Sequence, residues 1–206
     1  MEIEAKYRLT APVTAEQVEA MDWTPYQLGP RSSVDQLDTF FDTSDRAISR
    51  TIHAVRLREG GAQPVVTLKG PATIEAGIHS REEIELPTEE RAPDGWPAPI
   101  RERLQQLIGA QSIQPLLEVQ NGRRTWPLLK DGAVIGEVAL DEGEVRAGER
   151  REPMHEIEIE LKGGERSDLE RVGALVLRQL PATPEDRSKF QRGFALLPPL
   201  TAVDRR

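Results

Sequence analysis

Apolar and polar residues alternate almost one for one in six separate stretches of this chain: EIEAKYRL at 2–9, IHAVRLRE at 52–59, PVVTLKG at 64–70, HSREEIEL at 79–86, VIGEVALD at 134–141 and HEIEIELK at 155–162. A period of two belongs to the β-strand, whose successive side chains point to opposite faces, and no helix can satisfy it. Two further strands are predicted, SVDQLDTFF near 33–41 and a segment spanning about 116–129 that the turn-forming pair Asn121-Gly122 should break. The total is about eight strands. Helical spacing is confined to three intervals between strands: 14–21 with Thr14 as N-cap and Gln17 in the capping-box position, 99–108, and 167–179. The proline-rich stretch from Pro87 to Pro99 reads as a loop, because neither half of the chain has the apolar residues to stand alone. The expectation is an α+β, mostly antiparallel β fold, with one domain over 1–197 and a fraying tail at 198–206.

The polar faces are unusual in being almost wholly ionic. Opposite the apolar residues stand Glu2, Glu4, Lys6 and Arg8; Arg56 and Arg58; Thr67 and Lys69; Arg81, Glu83 and Glu85; Glu137 and Asp141; and Glu156, Glu158, Glu160 and Lys162. Two arrangements fit. One is an antiparallel sheet with a wet face on which opposite charges pair across strands. The other is a closed barrel with its apolar faces outward under helices and its ionic faces lining a lumen. Charges placed inside must pair or meet ligands of opposite sign. A polyphosphate with divalent cations supplies both, since guanidinium and ammonium groups bind phosphate oxygens and carboxylates bind the metal.

Composition removes several classes of protein. With 206 residues, 37% of them hydrophobic and 30% charged, the chain can bury its own core. A net charge of -8 argues against non-specific binding to nucleic acid. The absence of cysteine excludes disulfides, thiolate zinc sites and cysteine nucleophiles. No stretch approaches the run of about 18 apolar residues of a membrane helix, and carboxylates stand where a signal peptide needs an apolar core. A cytoplasmic protein without membrane or nucleic-acid partners is expected.

The N-terminal E-x-E-x-K, formed by Glu2, Glu4 and Lys6, resembles the signature of the CYTH or triphosphate tunnel metalloenzyme superfamily. Companion stretches follow in order: DTFFDT at 38–43, AVRLRE at 54–59, VTLKG at 66–70, REEIEL at 81–86, VALDEGEV at 138–145, HEIEIELKGG at 155–164 and RSKFQRGF at 187–194. The resemblance covers nearly the whole chain. It implies an eight-stranded closed β-barrel, a triphosphate tunnel, with helices packed outside and Mg2+ or Mn2+ as cofactor. Carried onto this sequence, it implies that Glu2, Glu4, Asp141 and two or three of Glu156, Glu158 and Glu160 face metal. Lys6, Arg56, Arg58, Lys69, Arg123 and Lys189 would grip phosphates, with Glu2, Glu4 and Lys6 as the catalytic core. Arg124 competes with Arg123, which is favoured because it falls opposite Trp126 and Leu128. Arg81, Glu83, Glu85 and Glu137 would hold these groups in place.

The activity so implied is a metal-dependent triphosphatase acting on a small triphosphate, inorganic tripolyphosphate or thiamine triphosphate, by attack of a metal-activated water on the terminal phosphoryl group. A class IV adenylyl cyclase would use the same tunnel, and a non-catalytic polyphosphate-binding module is a third reading, disfavoured by the many acids. A homodimer is compatible with the sequence. Other residues read more plainly: His79 and His155 as strand-end surface residues, Trp23, Trp96 and Trp126 as packing, and Asp42 and Asp45 as caps for the segment that follows them.

Overall fold

The computed structural model describes residues 2–75 and 78–200. In chain order the elements are β1 (Glu2–Leu9), α1 (Ala15–Glu19), β2 (Tyr26–Leu28), β3 (Ser32–Asp42), α2 (Ala47–Arg50), β4 (Ala54–Glu59), β5 (Val65–Glu75), β6 (Ile78–Pro87), α3 (Ala98–Ile108), β7 (Gln114–Lys130), β8 (Ala133–Ala147), β9 (Arg150–Leu161), α4 (Arg166–Gln179), β10 (Ala182–Pro184) and α5 (Lys189–Leu196). Eight strands pair antiparallel in the order β1-β6-β5-β4-β3-β7-β8-β9. The ring closes where β9 returns to β1, with Glu4 opposite Glu160, Lys6 opposite Glu158 and Arg8 opposite Glu156. The short strands β2 and β10 add to β7 and β1 at the rim. Closure leaves these eight strands without a free edge, as a barrel requires.

Because every neighbouring pair is antiparallel, β1, β3, β5 and β8 end where β4, β6, β7 and β9 begin. That end is called the upper end below.

The hydrophobic core lies outside the barrel. Ala5, Tyr7, Leu140, Ile157 and Ile159 on the outer wall pack under Leu169, Val172 and Val176 of α4. Gly173 permits this approach, since a Cβ there would sit 2.0 Å from the Tyr7 hydroxyl. Val55, Leu57, Val66 and Leu68 pack under Ile100, Leu104 and Ile108 of α3, with Trp96 edge-on to Phe41. With its apolar stripes covered in this way, the wall can turn its charged faces inward.

At the upper end the inward face becomes apolar, through Phe40, Leu117, Val119, Val145 and Met154, and α5 packs into it. Gly193 of α5 is close enough to Leu117 and Val145 that an added Cβ would lie 2.8 Å from each.

Four expectations require correction. The strand near 116–129 is not broken at Asn121-Gly122: β7 runs through it for 17 residues, because Asn121 is buried and donates to Asp141 Oδ1 at 2.9 Å instead of forming a turn. His79 is buried, not at the surface; the chain around Glu185 covers it, and its Nε2 lies 3.3 Å from the Glu185 carbonyl. Helices α2 and α5 arise where no helix was predicted, each too short to show clear periodicity and each set by a cap. Ser188 caps α5 with Gln191 in the box position, and Asp42 accepts from the backbone N–H groups of Ile48 and Ser49 at 2.9 and 3.0 Å. Asp42 thus caps the segment that follows it, as the sequence suggested, whereas Asp45 accepts from the Thr43 hydroxyl at 2.6 Å and pairs with Arg50 at 2.6 Å, anchoring the loop instead of capping the helix. The three tryptophans are buried in the outer layers. Of the expected tail, residues 201–206 lie outside the described residues.

Candidate active site

A cavity of about 820 Å³ occupies the barrel lumen, within the range of small-molecule sites. Strand parity dictates its lining. Glu2, Glu4 and Lys6 project into it from β1, Arg56 and Arg58 from β4, Lys69 from β5, Arg81, Glu83 and Glu85 from β6, Arg123 from β7, Glu137 from β8, and Glu158 and Glu160 from β9, with Lys162 lining it just after that strand ends. Lys189 enters from the first turn of α5. Arg8, next on the Glu2 face, is exposed beyond the cavity. Arg124 turns to the opposite face and pairs with Glu142 at 3.2 Å, so Arg123 is the lumenal arginine.

The charges neutralise one another in clusters. Arg81 reaches Glu2 at 2.6 Å and Glu4 at 3.0 Å, and Lys69 reaches Glu2 at 3.1 Å and Glu83 at 2.9 Å. Lys6 lies 3.6 Å from Glu4. Arg56 and Arg58 converge on Asp38, with contacts of 2.9 Å and 2.6 Å. Glu85 accepts from Thr67 at 3.1 Å and lies 3.8 Å from Arg56. On the far wall, Lys189 contacts Glu158 at 2.6 Å, Asp141 at 2.9 Å and Glu156 at 3.4 Å, while Arg123 binds Asp141 at 2.8 Å and Glu158 at 3.1 Å.

Two of the acids expected to face metal sit behind this surface. Asp141 and Glu156 are buried, do not line the cavity, and are engaged by Asn121, Arg123, Lys189 and Arg192. The forward acids form a different pattern. Glu4, Glu160 and Glu137 occupy directly opposed positions on the adjacent strands β1, β9 and β8, and Glu2 lies two residues from Glu4 on the same face. Like charges at opposed positions are destabilising without a counter-charge. Among the described residues no three acid or imidazole side chains converge on one point. The donor set of this row, hard carboxylate oxygens on neighbouring rungs, nevertheless suits a divalent cation such as Mg2+ or Mn2+.

The electrostatics follow from burial and neighbours. Burial, with Glu2 and Glu4 nearby, pushes the Glu160 carboxyl upward against the pull of Lys162. Glu156 is raised by burial and by Glu158 and Asp141. Glu158 is held low, because Lys189, Arg123 and Lys6 outweigh its burial. Lys69 is lowered by burial and by Arg56 and Arg81, despite Glu2 and Glu83.

Reading the sequence missed two residues that shape the site. Asp38 shares its strand face with Gln36 and Phe40, so the parity rule applied to 33–41 would have placed it inward. Arg192 stands three residues after Lys189; on a helix that spacing puts both on one face, where Arg192 binds Glu152 at 2.8 Å and also Glu156.

A closed antiparallel barrel with an ionic lumen and an apolar outer jacket is a tunnel protein. The CYTH domain family matches residues 1–194, and the chain belongs to that family. An inorganic triphosphatase of Haemophilus influenzae is 31% identical over 137 residues; the match takes in 64% of this chain but only 37% of that protein's length. A solved Hippeastrum structure, described as an adenylyl cyclase candidate with a dominant triphosphatase activity, superposes with a TM-score of 0.67 at 24% identity, covering 96% of this chain and 98% of the other. A Pyrococcus horikoshii OT3 protein gives a TM-score of 0.56 at 23% identity, with coverage of 95% and 99%. These two structures share the fold.

Proposed function

We propose that this protein is a metal-dependent triphosphatase that hydrolyses a small triphosphate such as inorganic tripolyphosphate or thiamine triphosphate. The observation that carries the reading is the lumen itself, in which a row of carboxylates, Glu2, Glu4, Glu160 and Glu137, faces cations on the other strands. A module that only bound anions would have no use for that row. The name of the Haemophilus relative, inorganic triphosphatase, supports the same activity.

In this reading Glu2, Glu4 and Glu160 hold a divalent cation, with Glu137 and Glu158 beside them. Lys6, Arg56, Arg58, Lys69, Arg123 and Lys189 bind the phosphate oxygens. The cation, when bound, neutralises phosphoryl charge and makes a water more nucleophilic. Asp38 aims the Arg56 and Arg58 guanidiniums, while Asp141 and Glu156 hold Arg123, Lys189 and Arg192 in place. Arg81 and Lys69 are paired to Glu2, and the entering anion and cation exchange these internal pairs for their own.

The test is incubation with tripolyphosphate, thiamine triphosphate and ATP in Mg2+ or Mn2+. Phosphate release from at least one is expected; release of only cAMP and pyrophosphate from ATP overturns the reading in favour of a cyclase. Lys69→Ala is expected to raise KM about 10- to 100-fold, the equivalent of the roughly 1.5–3 kcal/mol contributed by a hydrogen bond to a charged group. Steady-state kinetics check it, and unchanged KM and kcat remove Lys69 from the site.

A further inference from the structure

Above the closed ring, at the upper end, β5 outlasts one of its two neighbours. Its ladder with β4 stops where Ala54 meets Lys69, whereas its ladder with β6 runs on through Ala72, Thr73, Ile74 and Glu75. Among the described residues no strand pairs with Ala72–Glu75 on the side away from β6. In an antiparallel ladder alternate residues turn their backbone N–H and C=O groups to either side, so this tip presents unpaired backbone groups along its outer edge.

The side chains there are exposed as well. Pro71, Ala72, Thr73 and Ile74 are exposed in succession, Ile74 at 43%. Ile52, 69% exposed, stands at the same end two residues before β4. His53 beside it comes close to the start of the free stretch, since a Cβ added at Gly70 would lie 3.9 Å from His53 Nε2. Two of the four exposed large hydrophobic side chains among the described residues thus border one unpaired strand edge.

Exposed edges are ordinarily blunted by charge. Here 30% of the chain is charged, yet Gly70–Ile74 carry no charge at all. Pro71 protects only the end nearest β4, within the register shift between Lys69 and Ala72. Two copies with a net charge of -8 repel each other over most of their surfaces, so a neutral stretch is where they can approach. The stretch is also self-complementary. Antiparallel pairing of two copies about Thr73 sets Ala72 opposite Ile74 twice on one face, Thr73 opposite Thr73 on the other, and Glu75 opposite Pro71, so that no like charges meet.

We propose that the upper edge of β5 is a self-association surface, through which a second copy of this chain pairs antiparallel about Thr73 to form a twofold dimer. About four ladder hydrogen bonds then satisfy the open edge, and Ile74 of each copy packs on Ala72 of the other. Because Ala72 and Ile74 line the cavity, the two tunnel mouths come to lie beside one continuous sheet. The proposal does not depend on what the tunnel hydrolyses.

The test is sedimentation equilibrium of the full chain, together with crosslinking of single-cysteine variants. An interface of this size is a weak one, so wild type should pass from monomer to dimer between about 1 and 200 μM. Ile74→Lys should weaken association at least about 10-fold, since both symmetry-related contacts lose an apolar side chain and gain a charge. Leu177→Lys, which adds the same charge at a 42% exposed position on α4, should leave it unchanged. The chain has no cysteine, so an introduced one reports without background. Pairing about Thr73 holds the two Thr73 Cα atoms about 4.5–5.5 Å apart, within disulfide range, and Thr73→Cys should therefore form a covalent dimer on mild oxidation while Leu177→Cys stays monomeric. A wild type that remains monomeric throughout, a dimer that persists in Ile74→Lys, or a Thr73→Cys that links no faster than Leu177→Cys overturns the proposal.

Discussion

Glu4→Gln is expected to abolish metal-dependent turnover, lowering kcat about 1000-fold, which corresponds to roughly 4 kcal/mol of lost transition-state stabilisation. Glu4 is the centre of the forward acids, opposed to Glu160 across β1 and β9 and two residues from Glu2. Glutamine keeps the length and can still accept from Arg81, now at 3.0 Å from Glu4 Oε1, so the fold should remain intact. Removing one negative charge from a crowded row even relieves repulsion. The variant should therefore melt near the wild-type temperature while losing affinity for Mn2+, measured by calorimetry in the absence of substrate. Full activity would sink the metal assignment.

Asp38→Asn is expected to have the largest effect on stability, about 3–5 kcal/mol at neutral pH, because it strips the counter-charge from two buried or nearly buried arginines. Burial alone would raise the Asp38 carboxyl, but Arg56 and Arg58 overcome it and hold it well below the usual carboxylate range. The sign of the pH dependence follows. A depressed carboxyl stabilises the folded state above its unfolded pKa of about 3.9, and this contribution is lost as pH falls below that value toward the native one. Wild type should lose this contribution in acid, whereas Asp38→Asn lacks it at every pH. Tripolyphosphate should restore part of the loss, since its oxygens can replace the carboxylate between Arg56 and Arg58. Denaturant midpoints with and without tripolyphosphate at pH 7, and again below pH 4, check both points; equal stability of variant and wild type at pH 7 would refute the role of Asp38.

Much of the lumen was legible because strand parity is local. Glu2, Glu4 and Lys6 share a face in any extended chain, and so do Glu156, Glu158 and Glu160. The period of two could not say whether those faces looked into solvent or into a lumen, and the family resemblance rather than the alternation implied closure. Depth along a strand was also hidden: Glu156 and Glu160 have the same parity, yet one is sealed behind Lys189 and Arg192 and the other lines the cavity. His79 misled for a related reason, since the residues that bury it lie over 100 positions away in sequence.

Although it did not show the continuity of β7 or the short strands β2 and β10, the sequence by itself determined most of the barrel strands, the side of each that carries charge, the capping box at Thr14, and the family resemblance. These depend on backbone geometry over a few residues and on side-chain chemistry in order along the chain. Tertiary structure alone decided that β9 closes onto β1, that Glu4 meets Glu160 while Asp141 and Glu156 serve Lys189, and that one end of the tunnel is apolar. Those are matters of register and of long-range pairing. A shift of two residues in register would preserve every inward and outward face while exchanging every cross-strand partner, so no local pattern can specify it.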